Sequence, residues 1–341
     1  MISDPNFPTL KRFLVIQTAS IGDVILATAV IEKLHRYFPD AAIDFMTKKG
    51  NEALFKDHPF LNNLLIWDKS KHKYLNLFKL LKEVRKTRYN YLINLQRFGS
   101  TGLFTILSRA EYKSGFDKNP FSRLYTYKAE HRISIEENIS ETQRNQSLIR
   151  PFTDEIPERP GLYPSHDDYK KVESYKSKAY LCIAPASLWQ TKQFPETQWI
   201  SFIKAIPSEL GIYLLGSQSD NDLCERIRKE TGSERCLNLA GCLTLLQSAA
   251  LMQDAVMNYM NDSSPLHLAS AVNARTAAVF CSTVPQFGFG PLSDYSTVIE
   301  STEHLKCRPC GLHGHSECPE HHFKCATTIT TQQLLATLNY E

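Results

Sequence analysis

The chain has 341 residues, more than one typical domain holds, and 42% of them are hydrophobic and 22% charged. This is ordinary globular composition, which excludes a disordered, collagen-like or coiled-coil chain. The longest apolar run, Val24–Ile31, has only eight residues and is too short to span a bilayer, and the first residues lack a signal-peptide pattern. We therefore expect a cytoplasmic protein.

The net charge of +3 hides an uneven distribution. Residues 1–164 carry 25 Lys and Arg against 18 Asp and Glu, a net of +7, which leaves −4 for residues 165–341. None of the nine cysteines precedes Cys182. Two unlike halves favour two domains over one.

Short apolar runs alternate with helical patterns in the first half. After the first strand, apolar residues recur at three- and four-residue spacing up to Phe38, and Pro39 ends that helix. The elements predicted here are strands or apolar runs at 13–16, 42–46, 64–67 and 91–95, and helices at 23–38, 50–56 and 74–86.

Three prolines between Pro157 and Pro164 separate the halves, and the alternation then resumes. Strands alternating with helices are typical of βαβ units with parallel sheets. The sequence therefore predicts two Rossmann-like α/β domains with a cleft between them. The elements predicted in the second half are strands at 180–184, 211–215, 255–260 and 277–280, and helices at 195–206, 220–231, 244–252, 265–272 and 330–338.

Ligands of open α/β sheets bind beyond the carboxyl ends of the strands, near helix N-termini. The first such turn is Ser20-Ile-Gly-Asp23, where Gly22 permits a sharp bend. Asp23 is interpreted either as a helix-capping charge, worth about 0.3–1 kcal/mol, or as a general base facing the cleft. Composition alone favours the cap. The turn lacks a G-x-G-x-x-G motif, which argues against a dinucleotide cofactor.

Two later turns suit a phosphate group. The loop 185–195 presents Ser187 and Lys192 between a strand and a helix, although a lone exposed lysine is the commoner case. The turn that starts at Asn261 combines polar residues with Pro265 at a helix start and His267 one turn later. It is interpreted as an N-cap motif, as a pyrophosphate site, or as both.

Together these turns resemble glycosyltransferase family 9, the ADP-heptose:lipopolysaccharide heptosyltransferases. The resemblance runs from about residue 12 to about residue 335. Its segments are Ser20-Ile-Gly-Asp23, Thr191-Lys-Gln-Phe-Pro195, Asn238-Leu-Ala-Gly241, Asn261-Asp-Ser-Ser-Pro-Leu-His-Leu-Ala269, and Val279–Pro285 with Phe289-Gly-Pro291.

The resemblance implies a GT-B fold, with an acceptor domain at 1–168, a nucleotide-sugar domain at 169–341, and a last helix that is a candidate to pack back on the first domain. It implies an inverting, metal-independent transfer of heptose from ADP-heptose to the lipopolysaccharide inner core, with no cofactor. Asp23 then becomes the general base and Lys192 the lysine that contacts the donor diphosphate.

Other residue roles are carried over in the same way. Asp220 is expected to meet the ribose and residues 241–243 the nucleobase. The donor-binding residues implied are Ser187, Asp220, Gly241, Cys242, Leu243, Asp262, Ser263, Ser264 and His267, and the acceptor-binding residues are Ser20, Gly22 and Arg97.

The acceptor implied is an anionic, lipid-linked sugar at the inner membrane. The basic stretch Lys69–Arg88, with interleaved apolar residues, is interpreted either as a peripheral contact with that membrane or as a solvated helix covering the sheet. The sequence does not separate these two readings.

Four cysteines, Cys307, Cys310, Cys318 and Cys325, fall in one 19-residue stretch with four histidines. They offer enough soft ligands for a structural zinc, while free thiols, a local disulfide or a redox role are alternatives. Competing functions are another nucleotide-sugar or glycan acceptor, a nucleotide-sugar sensor without catalysis, and a nucleic-acid-binding protein. The few cations beside the cysteines argue against nucleic acid.

Overall fold

The computed structural model describes residues 10–338. The chain divides into two compact units. The first runs up to Arg132 and includes Glu141–Gly161, and the second comprises Ile133–Ser140 and the chain from Leu162 onwards. The division at 161/162 lies a few residues before the 168/169 boundary expected from the sequence.

The first unit is built on a six-stranded parallel sheet with strand order β3-β2-β1-β4-β5-β6. In its register Phe13 lies opposite Ile43 on one side and Tyr91 on the other. The elements are β1 (Arg12–Ile16), α1 (Ile21–Tyr37), β2 (Ala42–Lys48), β3 (Asn63–Trp67), α2 (Lys73–Lys86), β4 (Tyr91–Asn94), α3 (Gly99–Leu107), β5 (Tyr112–Phe116), β6 (Tyr127–Ala129) and α4 (Glu141–Ser147).

The second unit repeats this architecture with strand order β12-β11-β10-β7-β8-β9, again all parallel. Its elements are α5 (His166–Val172), β7 (Tyr180–Ala184), α6 (Glu196–Ala205), β8 (Gly211–Leu214), α7 (Asn221–Thr231), β9 (Cys236–Asn238), α8 (Leu245–Gln253), β10 (Met257–Asn261), α9 (Ser264–Ala271), β11 (Thr276–Phe280), β12 (Ser296–Glu300), α10 (Lys324–Thr327) and α11 (Thr331–Leu335).

Both sheets therefore have the Rossmann strand order, in which the first strand lies between the second and the fourth. The two Rossmann-like domains predicted from the sequence are confirmed. The helix predicted over 50–56 is wrong, because only a 3₁₀ turn forms at Glu52–Phe55. The last helix is shorter than predicted and packs on α6 within the second unit.

Each unit has its own apolar core. Every residue from Val24 to Ile31 is buried, as expected of a helix that is apolar all round. In the first unit α2 covers the sheet by packing Leu77, Leu81 and Val84 near Trp67. No helix within residues 10–338 is long and apolar enough to cross a membrane.

A buried lysine holds the end of the first unit against α1. The Lys33 side chain is 2% exposed, and its Nζ lies 2.8 Å from Asp154 Oδ1. The same ammonium donates to the carbonyl oxygens of Asp154 and Ile156, at 2.8 Å each. All three N–H groups are thus used, as a buried ammonium requires.

Replacing Lys33 with Met should lower the free energy of unfolding by about 2 kcal/mol, because two carbonyl groups lose their donor. Arg36→Gln is the matched control on the same helix, since Arg36 is exposed and pairs with Glu158 at the surface. Urea denaturation of both variants at pH 7 measures the difference. Equal, small losses would refute the anchoring role of Lys33.

The effect should also depend on pH. Hydrogen bonds from Lys33, and then Tyr37, lower the pKa of Asp154 to about 2. A lowered carboxyl pKa contributes stability above the unfolded-state value of about 4, and that stability is lost as the pH falls through the folded-state value. The difference between the wild type and Lys33→Met should therefore shrink as the pH falls from 4 to 2.

Candidate active site

The loop between β7 and α6, residues 185–194 (the lysine loop), carries the lysine predicted to meet a phosphate. Lys192 ends a 3₁₀ turn, and its Nζ lies 2.6 Å from Oδ2 of Asp262. Asp262 follows β10, the neighbour of β7 in the sheet. The two side chains are only 14% and 7% exposed, so solvent screens their attraction weakly.

The Asp262 carboxylate has a second partner. The hydroxyl of Thr283, which follows β11, donates to the same Oδ2 at 2.7 Å. A carboxylate held by a hydroxyl and an ammonium has little freedom to rotate. Asp262 is therefore placed to fix the position of Lys192.

Asn261 ties the lysine loop to the end of β10. Its side chain is fully buried; Nδ2 donates to the carbonyl oxygen of Pro185 at 2.7 Å, and Oδ1 accepts from the N–H of Phe194 at 2.9 Å. The two bonds hold the first and the last residue of the loop. Sequence analysis placed Asn261 in a motif but assigned it no role.

The helix that starts after Asp262 presents an end suited to an anion. The hydroxyl of its N-cap residue, Ser263, lies 3.4 Å from the carbonyl oxygen of Asn261 and does not bond an N–H of α9. In the first turn of α9, Pro265 has no N–H and the N–H of Leu266 donates to the carbonyl oxygen of Ser263 at 3.0 Å, which leaves the N–H of Ser264 at the helix end. The helix dipole adds positive potential there. With Lys192 alongside, this arrangement suits a phosphate.

Two further predicted donor residues lie beside these elements. His267 is buried on α9, with its ring 6.4 Å from that of Phe289. Ser187 is half-buried in the lysine loop, and its carbonyl oxygen accepts from Gln193 Nε2 at 2.7 Å.

Asp220 lies at the end of a 3₁₀ turn after β8, where its side chain has a local structural role. Its Oδ2 accepts from the N–H and the hydroxyl of Ser217, at 2.8 and 2.7 Å, in a capping box. Gly241, after β9, has φ +76° and donates its N–H to the carbonyl oxygen of Gly216 at 3.0 Å. A Cβ at Gly241 would lie 2.9 Å from Cα of Gln218, so this close approach requires glycine.

A cavity of about 580 Å³ lies beside the lysine loop. Its walls include Ala186, Phe194, Trp199, Asp220 and Arg226. The structure thus brings Asp220 to the same cavity as Ala186 and Phe194 of the lysine loop, whereas Lys192 and Asp262 are not part of its lining. The predicted nucleobase loop, residues 241–243, is not part of the cavity lining, with Cys242 exposed and Leu243 half-buried.

In the first unit, the turn after β1 supports both readings of Asp23. The N–H of Ser20 donates to Asp23 Oδ2 at 3.2 Å, and the Ser20 hydroxyl donates to the same atom, which completes a capping box. Both contacts use Oδ2. The carboxylate remains half-exposed next to the buried Gly22, so it caps α1 and is also accessible.

Polar side chains from neighbouring strands surround this turn. Gln96, after β4, donates to Gln17 Oε1, and Lys69 Nζ donates to the carbonyl oxygen and the hydroxyl of Thr18, at 2.7 and 3.0 Å. Partial burial, together with the charges of Lys73 and Lys48, lowers the pKa of Lys69 to about 8. Lys69 was predicted only as the start of a basic stretch, and its contact with the turn at Thr18 was missed.

A buried ion pair lies near Asp23. Glu141 and Arg144 are both under 10% exposed and are 2.9 Å apart. Burial raises the pKa of Glu141; Arg144 opposes that rise and the negative charge of Asp23 adds to it. Arg97 is exposed. Burial of His131, and after it the positive charge of Arg97, lowers the pKa of His131 to about 4. This cluster lies in polar sequence without periodicity, which explains why the pattern did not reveal it.

The cysteine segment, residues 307–325, brings its cysteines near one another: burial, and after it the charges of neighbouring cysteines of the segment, raise the pKa of Cys310 and Cys325. All nine cysteines lie in the described part of the chain and are free. Cys310 Sγ donates to the carbonyl oxygen of Cys307, Cys318 Sγ accepts from Phe323 N–H at 3.4 Å, and Cys307 Sγ is 3.9 Å from His322. No three His, Cys, Asp or Glu side chains between residues 10 and 338 are placed to hold a metal ion. The structural zinc stays a prediction.

Two Rossmann-like units in one chain are the architecture of the GT-B fold, and this fold matches that of a solved heptosyltransferase structure. A family model, glycosyltransferase family 9 (heptosyltransferase), matches residues 77–321. The chain belongs to this family.

Individual relatives agree with that assignment. Lipopolysaccharide heptosyltransferase 1 of Campylobacter coli is 23% identical over 319 residues, which cover 86% of this chain and 92% of the relative. ADP-heptose lps heptosyltransferase II of E. coli matches with a TM-score of 0.76 and 20% identity, over 96% of this chain and 97% of its own. A family 9 glycosyl transferase of Veillonella parvula gives a TM-score of 0.81 and 16% identity, over 96% and 95%.

Replacing Asn261 with Ala should free the lysine loop, because both of its end contacts are lost. Asn258→Ala is the matched control: Asn258 is equally buried on β10, and its amide donates to carbonyl oxygens of Met252 and Arg275 away from the loop. We expect each variant to lose about 1–3 kcal/mol of stability. Amide hydrogen exchange should accelerate at residues 186–194 in Asn261→Ala alone. Equal protection of the loop in both variants would show that Asn261 does not hold it.

Proposed function

We propose that this protein transfers heptose from ADP-heptose to an inner-core acceptor of lipopolysaccharide, with inversion at the anomeric carbon. The observation that carries the proposal is the Lys192–Asp262 pair at the start of α9. Membership of the heptosyltransferase family supports the sugar, and the ADP-heptose named for the E. coli relative supports the donor.

In the proposed donor site, Lys192 and the N–H of Ser264 at the start of α9 bind the diphosphate. As the bond between the anomeric carbon and the diphosphate oxygen breaks, negative charge develops on that oxygen, and these fixed donors stabilise it. They supply the positive charge at this position, so we propose that the transfer needs no metal. Ser187, Ser263, Ser264 and His267 border this site, and Asp220 is the candidate for the ribose.

In the proposed acceptor site, Asp23 is the general base. It takes the proton of the acceptor hydroxyl while the hydroxyl oxygen attacks the anomeric carbon from the side opposite the diphosphate. A single displacement of this kind inverts the configuration. Ser20 contacts only Oδ2, which leaves Oδ1 to receive the proton.

The acceptor is expected to be anionic, and the first unit carries positive charge near the same turn. Lys69 contacts Thr18 directly, and Arg97 is exposed after β4. Positive groups at this edge attract an anionic sugar, whereas a neutral glycan would gain nothing from them.

We further propose that the outer face of α2 contacts the anionic inner face of the membrane, which places the enzyme at the cytoplasmic side. The inner face of α2 covers the sheet, but Tyr74, Leu75 and Phe78 are 62%, 61% and 51% exposed. Lysines such as Lys79 and Lys82 are exposed beside them. Exposed apolar side chains interleaved with lysines are typical of a membrane-surface helix.

Replacing Asp23 with Asn should reduce the transfer rate by about 10²–10⁴-fold, because the general base is lost. The rate is measured with ADP-heptose and a lipid-A-type acceptor, and ADP binding is measured by calorimetry and should not change. Asp168→Asn is the matched control, since Asp168 forms the same capping box with Ser165. It should lose helix stability but keep transfer. Full activity of Asp23→Asn would refute the general-base mechanism. The proposal that the transfer needs no metal also requires that chelation of metals leaves the wild-type activity unchanged.

The membrane contact predicts that Leu75→Ser with Phe78→Ser weakens binding to anionic vesicles about tenfold or more, since two apolar side chains no longer insert. Leu124→Ser is the control, because Leu124 is 64% exposed in the same unit but outside α2. Co-sedimentation with phosphatidylglycerol-containing vesicles gives the affinities, and added salt should weaken the wild type. Wild-type binding by the double variant would exclude this face.

A further inference from the structure

Thr191, the residue before Lys192, forms several hydrogen bonds with the cysteine segment. The N–H of Thr191 donates to the carbonyl oxygen of His315 at 3.1 Å, and the N–H of His315 donates to Thr191 Oγ1 at 2.7 Å. The Thr191 hydroxyl donates in turn to the His315 carbonyl oxygen at 3.2 Å and accepts from the Ser282 hydroxyl at 3.0 Å. Thr191 is 2% exposed, so these bonds are protected from water.

Gly314 brings the backbone of the cysteine segment against Lys192 itself. A Cβ at Gly314 would lie 2.8 Å from Thr191 Oγ1 and 3.2 Å from Lys192 Cγ. Its φ of +73° also lies in the left-handed region, where other residues are strained. Glycine is therefore required here twice, by conformation and by contact with the lysine stem.

The same segment reaches the other half of the ion pair. The guanidinium of Arg308 donates to the carbonyl oxygens of Cys281 and Thr283, at 2.7 and 2.8 Å, and pairs with Glu300 at 2.6 Å. The N–H of Cys310 donates to the carbonyl oxygen of Ser282 at 2.8 Å. These bonds fix residues 281–283, and it is the Thr283 hydroxyl that holds Asp262.

We propose that the cysteine segment is a positioning element for the donor site: its residues Gly314 and Arg308, together with Thr191 of the lysine loop, set the place of Lys192 relative to Asp262. The inference rests on the proposed function, because it assumes that Lys192 binds the donor diphosphate. A lysine has a long, flexible side chain. Contacts of this kind are therefore needed to hold its ammonium group in the correct place before the donor binds. None of the three positioning residues needs to touch the donor.

Loss of this support should change the kinetics toward the donor but not toward the acceptor. Loss of the support should raise the KM for the donor and lower kcat, because Lys192 acts on both the bound diphosphate and the leaving group. The KM for the acceptor should stay unchanged, since the acceptor is assigned to the first unit. A merely structural role would instead reduce the amount of folded enzyme and leave both KM values as they are.

The test measures ADP affinity by calorimetry and steady-state kinetics in four variants of the full chain: Gly314→Ala, Gly232→Ala, Lys192→Ala, and Gly314→Ala combined with Lys192→Ala. Gly232 is the matched control, because its φ is +64° and a Cβ there would meet nothing within 4 Å. It therefore carries the same backbone strain without the contact. Thr191→Val, with Thr191→Ser as the conservative rescue and the exposed Thr197→Val as its control, provides a second route if Gly314→Ala fails to fold.

We expect Gly314→Ala to weaken ADP binding about 10- to 100-fold, Gly232→Ala to leave it unchanged, and Thr191→Ser to restore what Thr191→Val loses. The effect of Gly314→Ala should vanish in the Lys192→Ala background, because the segment acts through the lysine.

Two other outcomes would overturn the inference, and they are distinguishable. If Lys192→Ala weakens ADP binding but Gly314→Ala matches Gly232→Ala or adds fully to Lys192→Ala, the positioning role is wrong and the proposed donor site stands. If Lys192→Ala binds ADP like the wild type, the proposed donor site itself is wrong.

Discussion

Both units depend on the point at which the strand order of a parallel sheet reverses. There the two central strands lead to helices on opposite faces, so their carboxyl ends border an open crevice. In the first unit this edge carries Asp23 after β1 and Arg97 after β4, and in the second it carries Lys192 after β7 and Asp262 after β10. The topology alone gathers these side chains, with no irregular sheet geometry.

Charge is managed differently in the two halves. Residues 165–341 have a net charge of −4, so their overall field repels a diphosphate. Attraction at this site therefore depends on local groups, namely one ammonium and one helix end. Asp262 opposes the phosphate but holds Lys192 in place, and both side chains are largely buried. The net effect favours a ligand that reaches Lys192 and the N-terminus of α9 at once.

The parts of the fold that depend on residues close together in the sequence could be predicted from it. The central strands, the long helices and the turns that carry Asp23, Lys192 and Asp262 followed from apolar periodicity and turn residues. The inner strand β5 and the edge strands β6, β9 and β12 were missed, because they are short, polar or exposed and show little alternation. Contacts between distant residues leave no local pattern either. Thr191 and His315 are 124 positions apart, and Lys33 and Asp154 are 121 apart.

Asp23 and the cysteines show two further limits of sequence reasoning. Cap and base do not exclude each other at Asp23, because Ser20 contacts only one carboxylate oxygen and the side chain stays half-exposed. For the cysteines, thiol chemistry drew attention to metal, whereas the contacts that reach the lysine loop come from the main chain at Cys310, Gly314 and His315. Hydrogen bonds of the main chain leave little trace in a motif, because most residue types can make them, and only the requirement for glycine at position 314 is recorded in the sequence.

The place of the cysteine segment along the chain bears on how the protein matures. Synthesis runs from the N-terminus, so β7, the lysine loop, β10 and α9 leave the ribosome well before Arg308 and His315. In the proposed arrangement, a nascent chain then holds every ligand of the diphosphate but not the support that sets Lys192 against Asp262. The chain would become able to bind the donor only when the cysteine segment docks. Incomplete chains would then leave the nucleotide-sugar unbound.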